Sequence, residues 1–404
     1  MTTATWRAEL PYIKTVRPAL VLNYSVEPEK KAQARFRGRL VATPEFDLSE
    51  YRCRAVIDWL VVTVTLARAT QFQHVQRPIL ELSGVQPWVE AKDAGTGGTA
   101  TIFQITFQEG RVATVAECLD VLRAVYRFVK VPSIDGIEVS VDFTPKVPSE
   151  VARHRMVGLL AHHLFPKVDI VVHPYDRPSF KWGRGRRKTS YLIGDRRRPS
   201  RNLDLLRWPL ADLSAPVDAT FYAGRQHGRA QWKVMDKILD RQNPATGTRL
   251  VLPGKEKRAR VEVTLNQQEL RALGIDTVES LGEFNFATLQ GRYFQFMLPT
   301  FAVASENVPA GVVSYLESFR KQRFLTAGIA GLVMMDQVSG AWRLEQRKQA
   351  ARAVRAAGKR VIAKRRRGGG ETGSFVAYSE LNGRISSALE KLSQRERLAA
   401  NEGE

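Results

Sequence analysis

Apolar and polar positions alternate with period two along several stretches of this chain and follow helical spacing along others. The run Ala55-Val56-Ile57-Asp58-Trp59-Leu60-Val61-Val62-Thr63-Val64-Thr65-Leu66 is rich in β-branched residues and reads as a strand. A second strand is expected at Ala100–Phe107, after the Gly-Thr-Gly-Gly turn at 95–98. Val112–Val129 then carries a helical stripe of Val115, Cys118, Leu119, Leu122, Val125 and Tyr126, with Thr114 as its expected N-cap. Gly136–Phe143 (GIEVSVDF) alternates again and is stopped by Pro145 and Pro148; Ser149–Leu164 reads as helix. Three more short strands are expected at Ala219–Ala223, Gln231–Asp236 and Ala259–Leu265, followed by a short helix at Gln267–Leu273. The fold class this predicts is α+β: an antiparallel sheet built from two related α+β halves, with a helical, basic C-terminal extension.

The corresponding division of the chain is an N-terminal arm (1–54), an α+β core (55–300), a helical segment ending in a basic tract (301–367), and a linker with a C-terminal helix (368–404). Trp342–Arg367 holds eleven Lys or Arg against a single acid, Glu345, and runs into a Gly-rich linker. In the tail, Leu381, Ile385, Leu389 and Leu392 share a helical face.

Composition changes the picture through charge. A formal net charge of +21 and an isoelectric point near 10.2 point to a polyanionic partner, and nucleic acid is the commonest one. Two cysteines, Cys53 and Cys118, provide no disulfide framework and no zinc cluster. The N-terminal residues lack the apolar core of a signal peptide, and Phe324–Met335 is too short and too Gly-broken to span a membrane. A soluble, cytoplasmic protein is therefore expected. No phosphate-binding P-loop, nucleophile elbow, HExxH or paired CxxC occurs, so ATPase, esterase and zinc chemistry find no support.

In GIEVSVDF, Glu138, Ser140 and Asp142 share one face, and Ile137, Val139, Val141 and Phe143 share the core-facing one. Two carboxylates on one face repel unless a cation stands between them, and a hard divalent ion such as Mg²⁺ or Mn²⁺ suits such oxygen donors. Glu262 is the expected third ligand if its strand neighbours this one. The alternative is a solvated face neutralised by arginines. Tyr222 is the candidate nucleophile; a phenol needs a base or a metal-polarised phosphate beside it to act near neutral pH. Lys233 and Lys237 share a strand face and are placed to balance phosphate charge. The loop Phe180–Arg201 interleaves nine cations with Trp182 and Tyr191, a composition suited to phosphates and stacked bases. Its Arg184, Arg186, Arg187, Lys188, Arg196, Arg197 and Arg198, together with Arg225, Arg229, Lys233 and Arg260, are the expected DNA contacts.

The succession DWLVVTV (58–64), GIEVSVDF (136–143), TFYAGR…WKVMDK (220–237) and RVEVTL (260–265) resembles the Rep_trans-type replication initiation factors, the rolling-circle initiators of certain small plasmids and filamentous phages. The resemblance covers about residues 55–275 and lies in the order of motifs. It implies an endonuclease that nicks one strand of a replication origin, with a tyrosine joined to the 5′ phosphate and a divalent ion, Mg²⁺ or Mn²⁺, assisting. Carried over by position, Glu138, Asp142 and Glu262 become metal ligands and Lys237 a charge-balancing residue. Host helicase and polymerase would be partners, and a homodimer is a candidate assembly. One departure matters: Met235 stands where the family's Tyr-Asp-Lys has its tyrosine, so either Tyr222 or Tyr191 serves instead or the protein binds an origin without cutting it. The class-distinct alternative is a non-catalytic DNA-binding replication or transcription regulator; an RNA-binding protein is a third.

Overall fold

The computed structural model describes residues 4–31, 33–169, 176–182, 187–190, 213–243, 248–303, 310–358 and 374–401. In chain order the elements are β1 (Ala4–Leu10), β2 (Leu20–Pro28), β3 (Arg39–Pro44), β4 (Tyr51–Gln71), α1 (Phe72–Ser83), β5 (Trp88–Ala91), β6 (Thr99–Gln108), α2 (Val112–Tyr126), β7 (Ser133–Pro145) and α3 (Glu150–His163). They continue with β8 (Ser179–Trp182), β9 (Arg187–Ser190), β10 (Thr220–Ala223), β11 (Ala230–Lys237), β12 (Leu239–Asn243), β13 (Thr248–Val251) and β14 (Arg258–Asn266). The last are α4 (Gln267–Ala272), α5 (Val278–Gly282), α6 (Gln290–Tyr293), β15 (Met297–Ala302), α7 (Ala310–Ala356), β16 (Phe375–Ala377) and α8 (Ser379–Asn401). The fold is α+β, with antiparallel sheets and a helical C-terminal region.

Two compact units interleave along the chain. The first gathers Met1–Leu48, His154–Gly224 and Gln295–Leu381, and the second Ser49–Arg153, Arg225–Phe294 and Asn382–Glu404. This differs from four consecutive segments. Residues 1–54, read as an arm, instead form β1, β2 and β3 and the start of β4, because Leu10, Leu22, Tyr24, Val26 and Phe36 are apolar enough to be buried in a core.

In the second unit, antiparallel strands follow the order β5-β6-β4-β7-β14-β11. Ile137, Val139, Val141 and Phe143 of β7 lie on one face with Val261 and Val263 of β14 and Trp232 and Val234 of β11, all buried. Helix α2 packs on β4, and α4 on β7 and β14. The expected N-cap is corrected: α2 begins at Val112 after Arg111, with no local side-chain cap. Glu396 of α8 accepts the Val112 N–H at 2.9 Å instead, so a carboxylate distant in sequence satisfies the helix start and complements its dipole. Val125, expected on the buried stripe, is exposed.

The first unit holds the sheet β1-β2-β3-β15-β16 and the ribbon β9-β8-β10. The segment expected to be mixed and helical at 278–340 thus contributes the strand β15 as well. A helical stretch at 315–356 within α7 is long and apolar enough by length and composition to cross a membrane, and 65% of its most apolar window is buried inside the protein. It is longer than the 324–335 run suggested, because helix resumes on the far side of a kink at Gly328. At Gly328 the backbone turns to φ 64° and ψ −157° and passes so close to α3 that an added Cβ would stand 2.3 Å from the His162 carbonyl oxygen. The Gly-rich linker expected at 368–373 lies outside the described residues.

Candidate functional site

The polar face of β7 is the starting point. Register places Thr264 across from Glu138, Glu262 across from Ser140 and Arg260 across from Asp142. On the far side of β14, Lys233 pairs with Glu262 and Met235 with Arg260. On the other flank, the β4–β7 register shifts between Ile57 and Trp59, leaving Asp58 as the extra residue of a bulge. A bulge re-aims a side chain that strict alternation would send elsewhere. Asp58, Glu138 and Glu262 consequently present carboxylate oxygens that all lie within 4.8 Å of one another.

At that separation two charged carboxylates repel by about 3 kcal/mol at an effective dielectric near 20. Cations already standing in the cluster offset this. Lys233 Nζ donates to Glu138 Oε2 at 2.5 Å and to Glu262 Oε2 at 3.2 Å. Arg260, 1% exposed, donates through Nε and Nη2 to the two oxygens of Asp142 at 2.5 and 2.8 Å and through Nη1 to Asp58 at 2.5 Å. Thr264 Oγ1 donates to Glu138 Oε2 at 2.5 Å.

Burial, and next the Glu138 carboxylate, push the Glu262 carboxyl up to about 7, against the pull of Lys233 and Arg260. Burial also opposes the charge on Asp58, but Arg260 and then Lys237 outweigh it and hold that carboxyl below its usual range. For Lys233 burial works against the ammonium, and Glu262 and Glu138 overcome it, raising its pKa. Lys233 and Arg260 thus oppose the burial that drives the Glu262 carboxyl up.

The expected ligands separate on this geometry. Glu138 and Glu262 come together, but Asp142 is committed to Arg260, with Arg258 Nε 2.9 Å away, and the third member of the trio is Asp58. Asp58 was missed as a candidate donor although it opens the DWLVVTV motif; an acid inside an apolar, β-branched run was the available signal, and the bulge that aims it was not legible. All-oxygen donors suit Mg²⁺ or Mn²⁺. Ser140 Oγ, across from Glu262, is buried without a hydrogen-bond partner among the described residues and adds a further oxygen to the same face. Lys233 Nζ already pairs with both Glu138 and Glu262, so it would compete with a cation for those two carboxylates.

The other expected residues are dispersed. Tyr222 lies on β10 in the first unit, half-buried, with Lys181 Nζ 4.8 Å from its ring centre. The described tyrosines of the second unit place their hydroxyls elsewhere: Tyr51 on the Ala152 carbonyl, Tyr126 on the His74 carbonyl and Tyr293 on Glu269. Met235, opposite Arg260, occupies the polar face beside the carboxylates. Lys237 lies opposite Arg258 and pairs with Asp240 at 3.3 Å. Arg225 and Arg229 are exposed, whereas Arg260 is corrected from a DNA contact to a buried hub of ion pairs. Arg184, Arg186, Tyr191, Arg196, Arg197 and Arg198 lie outside the described residues, and Arg187 and Lys188 are placed only as backbone of β9. The histidine pair His162 and His163 is fully enclosed, with His163 Nε2 3.1 Å from the Tyr24 hydroxyl.

No family model matches the sequence, and no curated protein matches it. Among solved structures the chain is similar to a rolling-circle replication initiator protein from Geobacillus stearothermophilus, with a TM-score of 0.27 and 12% identity over 66% of this chain and 97% of that one. It is also similar to a 3-hydroxy-3-methylglutaryl-coenzyme A reductase of Streptococcus pneumoniae, with a TM-score of 0.18 and 9% identity over 83% and 84%. An aspartate kinase from Synechocystis superposes with a TM-score of 0.17 and 10% identity over 67% and 49%. These superpositions are loose, and the functional reading stands on the chain's own residues.

Proposed function

We propose that this chain is a DNA-binding replication initiation protein of a plasmid or phage-like element, acting on single-stranded or hairpin origin DNA. One observation carries the reading: three strands whose sequences resemble the initiator motifs, β4, β7 and β14, are hydrogen-bonded neighbours, and their acids converge as Asp58, Glu138 and Glu262 within a chain of net charge +21. Such a trio would hold Mg²⁺ or Mn²⁺ and, with a phosphate bound, the ion would polarise the P–O bond toward attack. The chain's own residues would do the rest. Lys233, displaced from Glu138 and Glu262, is free to meet the phosphate, and Arg260 keeps Asp58 ionised and aimed. A tyrosine is the nucleophile in this reading, with Tyr222 the candidate to test: its oxygen would bond the 5′ phosphate as the bond to the 3′ oxygen breaks, and the phenolic proton would pass to that leaving oxygen.

The test is incubation with origin-type single-stranded DNA and Mn²⁺, scoring a covalent protein–DNA adduct. Wild type should form it, and Tyr222→Phe and Glu262→Gln should each reduce it by at least about a hundredfold, the scale on which covalent and electrostatic groups act. An adduct that survives Tyr222→Phe removes that nucleophile. A second reading, a non-catalytic DNA-binding regulator, is favoured by Met235 at the tyrosine position and by the paired state of the carboxylates. It predicts origin binding with no adduct under any divalent ion.

A further inference from the structure

The C-terminal half of α7 packs into no core among the described residues. Phe324, Ile329, Leu332, Met334 and Val338 of the same helix are buried, but from Leu344 to Gly358 every residue is exposed except half-buried Ala351. A helix without a packed face draws little stability from tertiary contacts, so its alanines, and not a partner surface within the described residues, sustain it. Its charges are one-sided: Arg347, Lys348, Arg352 and Arg355 face a single acid, Glu345. Lys348, Arg352 and Arg355 fall at i, i+4 and i+7, forming one stripe about 10 Å long at 1.5 Å per residue. The sequence continues with Lys359 and Arg360.

We propose that residues 344–356 of α7 lie in the major groove of duplex DNA with this stripe against the phosphates, a second DNA contact in addition to the single-strand site. The proposal rests on the reading of DNA as the partner and names the form and the element. Charge complementarity supplies the attraction, and shape and composition choose among polyanions. A helix with its side chains is about 10–12 Å across, and the B-form major groove is about 12 Å wide. Duplex RNA offers a deep, narrow major groove that does not admit a helix. Single strands are gripped by stacking on aromatic rings, and 344–356 contains none. An anionic membrane surface would need an apolar face opposite the cations; Leu344 and Val354 are the only large apolar residues here.

The experiment uses the full-length protein without divalent ions, measuring fluorescence anisotropy with a duplex of two to three turns over a series of salt concentrations. The triple variant Lys348→Gln, Arg352→Gln, Arg355→Gln should reduce the slope of log K against log salt by about 2.7, at roughly 0.9 for each phosphate no longer neutralised. Its binding to a single strand and to duplex RNA should change much less. Circular dichroism should match wild type, since all three side chains are exposed. A slope equal to that of wild type overturns the proposal, and so does an equal weakening on single strands or on RNA. Failure here leaves adduct formation on short single strands intact, whereas failure of the nicking reading removes the adduct and leaves the slope.

Discussion

Lys233 decides how the acidic trio behaves in the absence of a metal. Its ammonium reaches both Glu138 and Glu262, and its side chain is 22% exposed against 3% and 4% for theirs. Removing one partner from a largely buried ion pair strands the other charge and costs about 3 kcal/mol or more. Lys233→Met should therefore lower thermal stability by several degrees. A divalent ion can take over the vacated role, since binding to the folded state alone stabilises by mass action. Millimolar Mn²⁺ should then raise the melting temperature of Lys233→Met by more than it raises that of wild type, while Lys233→Met with Glu262→Gln should lose most of that gain. Differential scanning fluorimetry reads all of these, and an Mn²⁺ shift no larger in Lys233→Met than in wild type would refute metal binding by the trio.

At the scale of elements, α7 depends on one residue without a side chain. Gly328 combines a positive φ with an approach to the His162 carbonyl that a Cβ would bring to 2.3 Å, and the atom met is backbone, which cannot swing away. Gly328→Ala should destabilise the protein by about 3 kcal/mol or more, combining left-handed strain with a forced shift of α3. Gly340→Ala, where a Cβ meets nothing within 4 Å, should be neutral or stabilising. Urea denaturation of the pair checks this. The limits of sequence legibility appear at this scale too. Residue pattern placed β4, β7, β11, β14, α2 and α3 within a few residues, although β7 is buried on both faces and α3 nearly all round. It did not place β1–β3, whose proline-punctuated segment reads as irregular until a sheet is there to receive Tyr24 and Leu22. Nor could it place the Asp58 bulge, since a one-residue slip in register leaves no trace in alternation. Arg260 looked like a phosphate contact from its type alone; only burial between Asp142 and Asp58 reveals a structural cation.

For the whole molecule, the acid side of the stability curve should be steep, for two reasons that salt can separate. The chain already carries +21 at neutral pH, so protonating carboxylates adds self-repulsion, which salt screens. Independently, the first unit encloses His162 and His163. Burial pushes His163 down to about 4, and burial together with His163 pushes His162 well below its ordinary value. A base whose folded pKa is depressed binds fewer protons folded than unfolded below about 6.5, so its full contribution is present above that pH and is lost as pH falls toward the folded value. Two such histidines predict a loss of about 2–3 kcal/mol between pH 7 and pH 5.5. Urea titrations at both pH values in high salt isolate this part, because burial shields it from screening. His163→Gln should recover roughly half of the loss, keeping a polar partner near the Tyr24 hydroxyl and the Met297 carbonyl while removing one titrating group. Stability in high salt that is flat from pH 7 to 5.5 would mean that the pair is already solvated, and the enclosed core around Phe324 would have to open for that to happen.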